Sequence, residues 1–115
     1  MEKQAQFTSK KILFNKSVDF PELPGVYKFF NSKHQIIYIG KAKNIKNRVK
    51  SYLNFSKGEG KRITKLKSSI KFIETIITKT ESDALILEQG LISKKRPLFN
   101  IQFRDDKSYP AIHLS

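Results

Sequence analysis

The sequence has no cysteine, which excludes a disulfide framework and any zinc site built on thiolates. It has no apolar run long enough to span a bilayer, and Met1-Glu2-Lys3-Gln4 lacks the apolar core of a secretory signal. These absences fit a cytoplasmic protein with no membrane partner. Internal repeats and low-complexity tracts are also missing. The length of 115 residues suits one compact domain around one core and is too short for two. With 38% apolar residues the chain is expected to fold, around a modest core.

Acidic residues are scarce as well. Ten Asp and Glu stand against 23 Lys and Arg, for a net charge of +13 and a pI near 10.0. The excess is local: from Lys41 to Lys71 eleven basic residues face one acid, Glu59. Such a surplus is the electrostatic footprint of a phosphate-backbone partner. The alternative is the well-solvated surface of an ordinary lysine-rich protein. Within the stretch, Lys43, Lys46, Lys50, Lys61, Arg62 and Lys65 are the candidate DNA-binding residues.

Residues 1–20 form a polar, basic arm, mobile or folded as one short helix, and residues 21–115 form the domain. Phe20-Pro21-Glu22-Leu23-Pro24 reads as an extended lead-in, because each proline disfavours helix in the residue before it. Two runs of β-branched and aromatic residues, Gly25–Phe30 and Gln35–Gly40, flank the polar Asn31-Ser32-Lys33-His34 and predict a β-hairpin. A tight four-residue closure sets Phe30 opposite Gln35 and Tyr27 opposite Tyr38, on one face. Asn44 is a good N-cap for a helix over Ile45–Asn54, with Ile45, Val49 and Leu53 inward and Arg48 and Tyr52 on its flank.

After a glycine-bearing loop, Ile63, Leu66 and Ile70 line one stripe of a short basic helix. Lys71–Lys79 is apolar on both faces and reads as a central strand. Thr80-Glu81-Ser82-Asp83 starts a third helix that runs to about Lys95 and stops before Pro97. Leu98–Phe103 is expected to be extended, Arg104–Ser108 a charged turn and Tyr109–Leu114 a last short strand. The fold class is α/β in the α+β sense: a three-stranded, mainly antiparallel sheet with flanking helices.

Glu88 is the most informative residue outside the hairpin. On a helical wheel it falls among Ala84, Leu85, Leu91 and Ile92. A desolvated, unpaired carboxylate there would be costly, so Glu88 is paired, hydrogen-bonded, or at a cleft that holds a cation. Two readings stay open: a core salt bridge to a lysine, or a ligand for a hard ion such as Mg²⁺ or Mn²⁺. Tyr27 and Tyr38 are, by type, ordinary core rings, but cations nearby would lower a phenol's pKa and make it a better base. Asp105-Asp106 sits between Arg104 and Lys107 and reads as a structural turn rather than a second metal site. His34 and His113 show no metal-ligand spacing and receive no role.

Gly25-Val26-Tyr27 followed by Tyr38-Ile39-Gly40-Lys41-Ala42-Lys43-Asn44 resembles the GIY-YIG nuclease family. The nearer likeness is to the N-terminal endonuclease domain of the UvrC and Cho type, over roughly Leu23 to Ser115. Asp105-Asp106-Lys107-Ser108-Tyr109-Pro110 resembles that branch rather than homing-endonuclease relatives.

The resemblance implies a metal-dependent endonuclease that nicks one DNA strand, with DNA and a UvrB-type damage-recognition protein as partners. The nick would be the 3′ incision of nucleotide-excision repair. Asp83-Ala84-Leu85-Ile86-Leu87-Glu88 resembles the helix whose glutamate holds one divalent ion, Mg²⁺ or Mn²⁺. Tyr38, helped by Lys41, would be the general base, Tyr27 would orient the water or the phosphate, and Arg48 would contact the scissile phosphate. Tyr52 would line the site, or simply pack on Val49 and Leu53. Asn100, after Pro97-Leu98-Phe99, would brace the site or cap a turn.

Gly90 and Phe99 depart from the family pattern without removing a candidate catalytic group. A complete UvrC continues beyond this length, so the chain is either a short relative or a piece, and its end inside an expected strand favours a piece. A non-catalytic basic binding module on the same scaffold, and a nuclease of recombination or mobile DNA, are the alternatives.

Overall fold

The computed structural model of the protein describes residues 7–8, 11–15, 19–54 and 58–104. Among these described residues nine elements follow in order: β1 (Phe7–Thr8), β2 (Ile12–Leu13), β3 (Gly25–Phe30), β4 (Ile36–Ala42), α1 (Ile45–Ser51), α2 (Lys61–Ser69), β5 (Phe72–Ile77), α3 (Glu81–Lys95) and α4 (Leu98–Arg104). The sheet runs β1-β5-β3-β4, with β2 also on β5, and every described pairing is antiparallel. The three long strands are those expected; β3 lies between β4 and β5, and β5 is interior to the sheet because β1 and β2 pair along its far edge. The two short strands are a correction: instead of a helix or loose arm, Phe7–Thr8 and Ile12–Leu13 pair with β5.

The hairpin closes differently from a simple four-residue loop. Asn31 Oδ1 accepts the amides of Lys33 and Gln35 at 2.9 and 3.0 Å, and its Nδ2 donates to Gln35 Oε1 at 2.9 Å. His34 takes the left-handed region at φ 64°, completing a three-residue loop between Asn31 and Gln35. One irregularity between Phe29 and Phe30 then shifts the ladder. Tyr27 therefore faces Gly40, and Phe29 faces Tyr38, correcting the expected Tyr27–Tyr38 pair. At Tyr27 the shift amounts to two positions, an even number, so both phenols keep the same face.

That face carries the large core. Tyr27, Phe29, Ile37, Ala42, Ile73 and Ile77 pack with Ile45 and Val49 of α1, Leu66 of α2 and Phe99 of α4. The other face is thin: Val26 and Ile39 meet Ala84 of α3, with Leu87, Leu91 and Ile92 around them. Leu85, expected inward, is 43% exposed.

Helix ends follow the capping logic of the sequence. Asn44 Oδ1 accepts from Asn47 N at 3.1 Å, Thr80 Oγ1 accepts from Asp83 N at 3.0 Å, and Arg96 ends α3 in the left-handed region. α1 ends at Ser51, three residues short of the expected Asn54. α4 replaces the extended segment expected at Leu98–Phe103. Pro97 O accepts the amide of Ile101 at 3.1 Å, and Phe99 and Phe103, one helical turn apart, both turn to the large core. The charged turn and last strand expected beyond Arg104 lie outside the described residues.

Candidate active site

Among the described residues β4 is an edge strand, and its outer edge is met by side chains. Asn100 of α4 accepts from Ile39 N and donates to Ile39 O, both at 2.8 Å. Its amide copies one residue of a neighbouring strand, so the Asn100 side chain is spent on the backbone of the β4 edge. Two residues on, Lys41 N donates to Glu88 Oε2 at 3.0 Å. Ile39 and Lys41 present their backbone groups to the same edge because strand geometry repeats every second residue. Glu88 is half-buried there, and Gln89 Nε2 donates to its Oε1 at 3.0 Å. Among the described residues no lysine pairs with Glu88, and the core salt bridge is not the arrangement found there.

Between those two edge contacts lies Gly40. Tyr27 crosses over it from β3, and a Cβ at Gly40 would meet Tyr27 Oη and stand 2.5 Å from its Cζ. Glycine here is a requirement of space. Tyr27 is buried, and its hydroxyl lies 3.1 Å from that of Tyr52. The Tyr52 and Tyr38 rings lie 5.7 and 6.3 Å from the Tyr27 ring. Tyr38 is half-buried, against Phe29 and Phe103.

Electrostatics separate the phenols from the simple expectation of cation-activated tyrosines. Burial pushes the Tyr27 pKa well above the usual value, and the neighbouring Tyr52 and Tyr38 push it further; Arg48 offsets this only in part. Tyr27 is held neutral.

Lys41 points to the opposite face, where its ammonium lies 3.2 Å from Glu81 Oε2. The ammonium is therefore not delivered to Tyr38. What Lys41 contributes to the site is its backbone amide, on Glu88.

Arg48 and Lys43 stand exposed beside a polar recess of about 240 Å³ shared with Asn47 and Ser51. A larger cavity of about 520 Å³ opens on the other side of α1, walled by Tyr38, Tyr52, Ile63 and Phe103, with Lys61 and Arg62 at its mouth. Lys50 and Lys65 are exposed, whereas Lys46 pairs with Asp19 at 3.5 Å. Lys67 is drawn off the basic surface: its side chain, 7% exposed, is bonded to Glu59 and to Asn54 O. The cavity, the recess and the role of Gly40 were missed by sequence reasoning. Only the spacing of Phe99 and Phe103 could have signalled the first.

Among the described residues no three His, Cys, Asp or Glu side chains gather into a metal-binding group. Glu88 nevertheless fits a hard divalent ion, because Mg²⁺ keeps several waters and takes only one or two carboxylates beside substrate phosphate oxygens. Its half-burial at an edge leaves room for such partners.

A family model described as the UvrC-like GIY-YIG domain matches residues 23–101. UvrABC system protein C of Bdellovibrio bacteriovorus is 50% identical over 101 residues, covering 88% of this chain and 16% of that protein. The same protein of Neisseria meningitidis is 49% identical over 98 residues, covering 84% and 16%. The chain thus spans 16% of the length of these relatives. The solved GIY-YIG N-terminal endonuclease domain of UvrC from Thermotoga maritima, bound to magnesium as its catalytic divalent cation, superposes with a TM-score of 0.61. It is 44% identical, over 70% of this chain and 85% of that one.

Proposed function

The chain belongs to the family of UvrC-like GIY-YIG domains, and from that premise we propose that it is a divalent-metal-dependent endonuclease that hydrolyses one phosphodiester of a DNA strand. One observation carries the reading. The Tyr27 phenol and the Glu88 carboxylate, from opposite faces of the sheet, converge on the consecutive residues Gly40 and Lys41.

Glu88 would hold the ion, Mg²⁺ as in the Thermotoga domain or Mn²⁺, which shares its preference for hard oxygen ligands. When bound, it supplies Lewis-acid stabilisation of charge on the phosphate. The remaining work falls to the protein. Tyr27, kept neutral by burial, donates a hydrogen bond that orients the attacking water or the phosphate. Tyr38, the less buried phenol of the same face, would act as its phenolate and take the proton the water loses. Arg48 meets the non-bridging oxygens, where a guanidinium fork matches the developing charge. Tyr52 holds Tyr27 through their shared hydroxyl contact, and Asn100 holds the edge strand beneath both. Lys43, Lys50, Lys61, Arg62 and Lys65 track the backbone without reading sequence. Lys46 contributes only its charge, tied to Asp19.

Placed in the excision system of its relatives, the cut is the one on the 3′ side of a lesion. A damage-recognition protein of the UvrB type would bring the domain to it.

Nicking of supercoiled plasmid with Mg²⁺ or Mn²⁺ tests the reading, with EDTA and DNA binding measured alongside. Wild type should nick, and Glu88→Ala or EDTA should abolish nicking while binding survives. If plasmid is left intact, the assay moves to a damaged duplex loaded with a UvrB-type protein. Binding without nicking on that substrate too would leave a DNA-binding module in place of a nuclease.

A further inference from the structure

We propose that the cavity of about 520 Å³ beside the tyrosines receives a nucleobase unstacked from the strand next to the scissile phosphate. The inference rests on the nuclease reading and adds a preference for locally unpaired DNA.

Position comes first. Tyr52 serves two places at once: its hydroxyl contacts Tyr27 at 3.1 Å, while its ring walls the cavity. An occupant therefore sits one side chain away from the reacting phosphate. Tyr38 also borders both spaces.

Lining decides the chemistry. The rings of Tyr38, Tyr52 and Phe103 and the aliphatic Ile63 share the walls with Gly60, Lys61 and Arg62. The two basic residues suit phosphate, whereas the three rings suit a base, whose flat faces stack on aromatic rings whatever its identity. The volume is that of pockets that enclose small aromatic ligands.

The mouth supplies the complementary half. Lys61 and Arg62 are exposed there, Arg62 with Nη1 donating to Gln102 O at 3.0 Å, where the two phosphates flanking an inserted base would run. A paired duplex keeps its bases stacked and cannot fill the cavity without losing that stacking. A mismatched, damaged or unpaired nucleotide loses least. The cavity thus converts looseness of the strand into binding at the cut.

The test reads the base rather than the cut. The whole chain is bound, in EDTA, to oligonucleotide duplexes that are either fully paired or opened by a short bubble. 2-Aminopurine, whose emission depends on stacking, is moved along one strand. Wild type should favour the bubble by about tenfold and change the emission at one position. Ile63→Trp, which fills the cavity, should lose both the preference and the signal while keeping affinity for paired DNA. Ile63→Ala, which leaves the cavity open, should keep both.

An equal preference in wild type and Ile63→Trp, or equal loss in Ile63→Ala and Ile63→Trp, overturns the proposal. Emission changing at no position overturns it too, as when the cavity takes a protein segment instead of a base. Since no cutting is needed, a positional signal without nicking in Mg²⁺, on plasmid and on the damaged duplex loaded with a UvrB-type protein alike, would sink the nuclease reading and leave the base site standing. Nicking without a signal would do the reverse.

Discussion

The two faces of the sheet hold their functional groups in opposite ways. On the aromatic face, Tyr27 is packed into a cluster that draws on all three long strands and on α1, α2 and α4. On the other face the cluster under α3 has three fully buried residues, Val26, Ile39 and Ala84. The phenol is placed by depth, and its surroundings set its pKa. Glu88 is placed by the close approach of α3 over a small side chain, Ala84, one turn earlier, and by a hydrogen bond at the strand edge. Interior packing resists change because neighbours fill the space. An edge carboxylate keeps the open side that a cation and a substrate need.

If that contrast is right, Glu88→Ala separates chemistry from stability most sharply. Nicking should fall by about 10³-fold or more, while thermal unfolding shifts by only about 1 kcal/mol, one hydrogen bond. A stability loss large enough to explain the activity would break the comparison. Gly40→Ala should damage both properties, because the new Cβ meets the Tyr27 ring itself; we expect about 3 kcal/mol of destabilisation by denaturant unfolding. Adding Tyr27→Phe should not rescue it, since the ring carbon Cζ is already too close.

Ala84→Leu overpacks the thin face and should cost about 2 kcal/mol. It should lift α3 and reduce nicking, yet leave the aromatic ring signals in a nuclear magnetic resonance spectrum nearly unmoved. Coupled shifts on both faces would show that they are one core.

The smallest effect belongs to Tyr27→Phe, about 1 kcal/mol of stability at neutral pH from the Tyr52 contact. Its sign with pH is fixed by linkage. The folded pKa lies above the unfolded value of 10.0, so the phenol keeps its proton more tightly when folded. Its contribution is complete below about pH 10 and is lost as pH rises through the folded pKa. Tyr27→Phe should therefore flatten the alkaline limb of the stability profile, and ultraviolet titration should find one phenol fewer titrating late.

How far the sequence could be read depended on the range of each interaction. The caps at Asn44 and Thr80, the stop at Pro97 and the strands Gly25–Phe30 and Phe72–Ile77 depend on neighbours within a few residues, and all were legible. α4 was missed because Leu98–Phe103 carries apolar residues at both periods; burial of Phe99 and Phe103 on one core chose the helix. The hairpin register was missed because a loop with His34 in the left-handed region and a single irregularity looks like a plain four-residue loop on paper. Lys41 was misread for a simpler reason. Its charge is visible in sequence, but its side-chain direction follows strand alternation and ends on Glu81.

By itself the sequence determined the family, through the spacing of Gly25-Val26-Tyr27 and Tyr38-Ile39-Gly40, together with the local elements and the basic surplus that points to a phosphate partner. Tertiary structure alone decided that Tyr27 lies over Gly40 and is held neutral, that Asn100 closes the strand edge, and that Glu88 rests on the amide of Lys41. It also decided that the Lys67 side chain is spent on Glu59 while Lys61 lines a cavity. The division is physical. Propensity, capping and charge count act over neighbouring residues, whereas a phenol's pKa, a satisfied backbone edge and an enclosed space exist only where distant segments exclude water together.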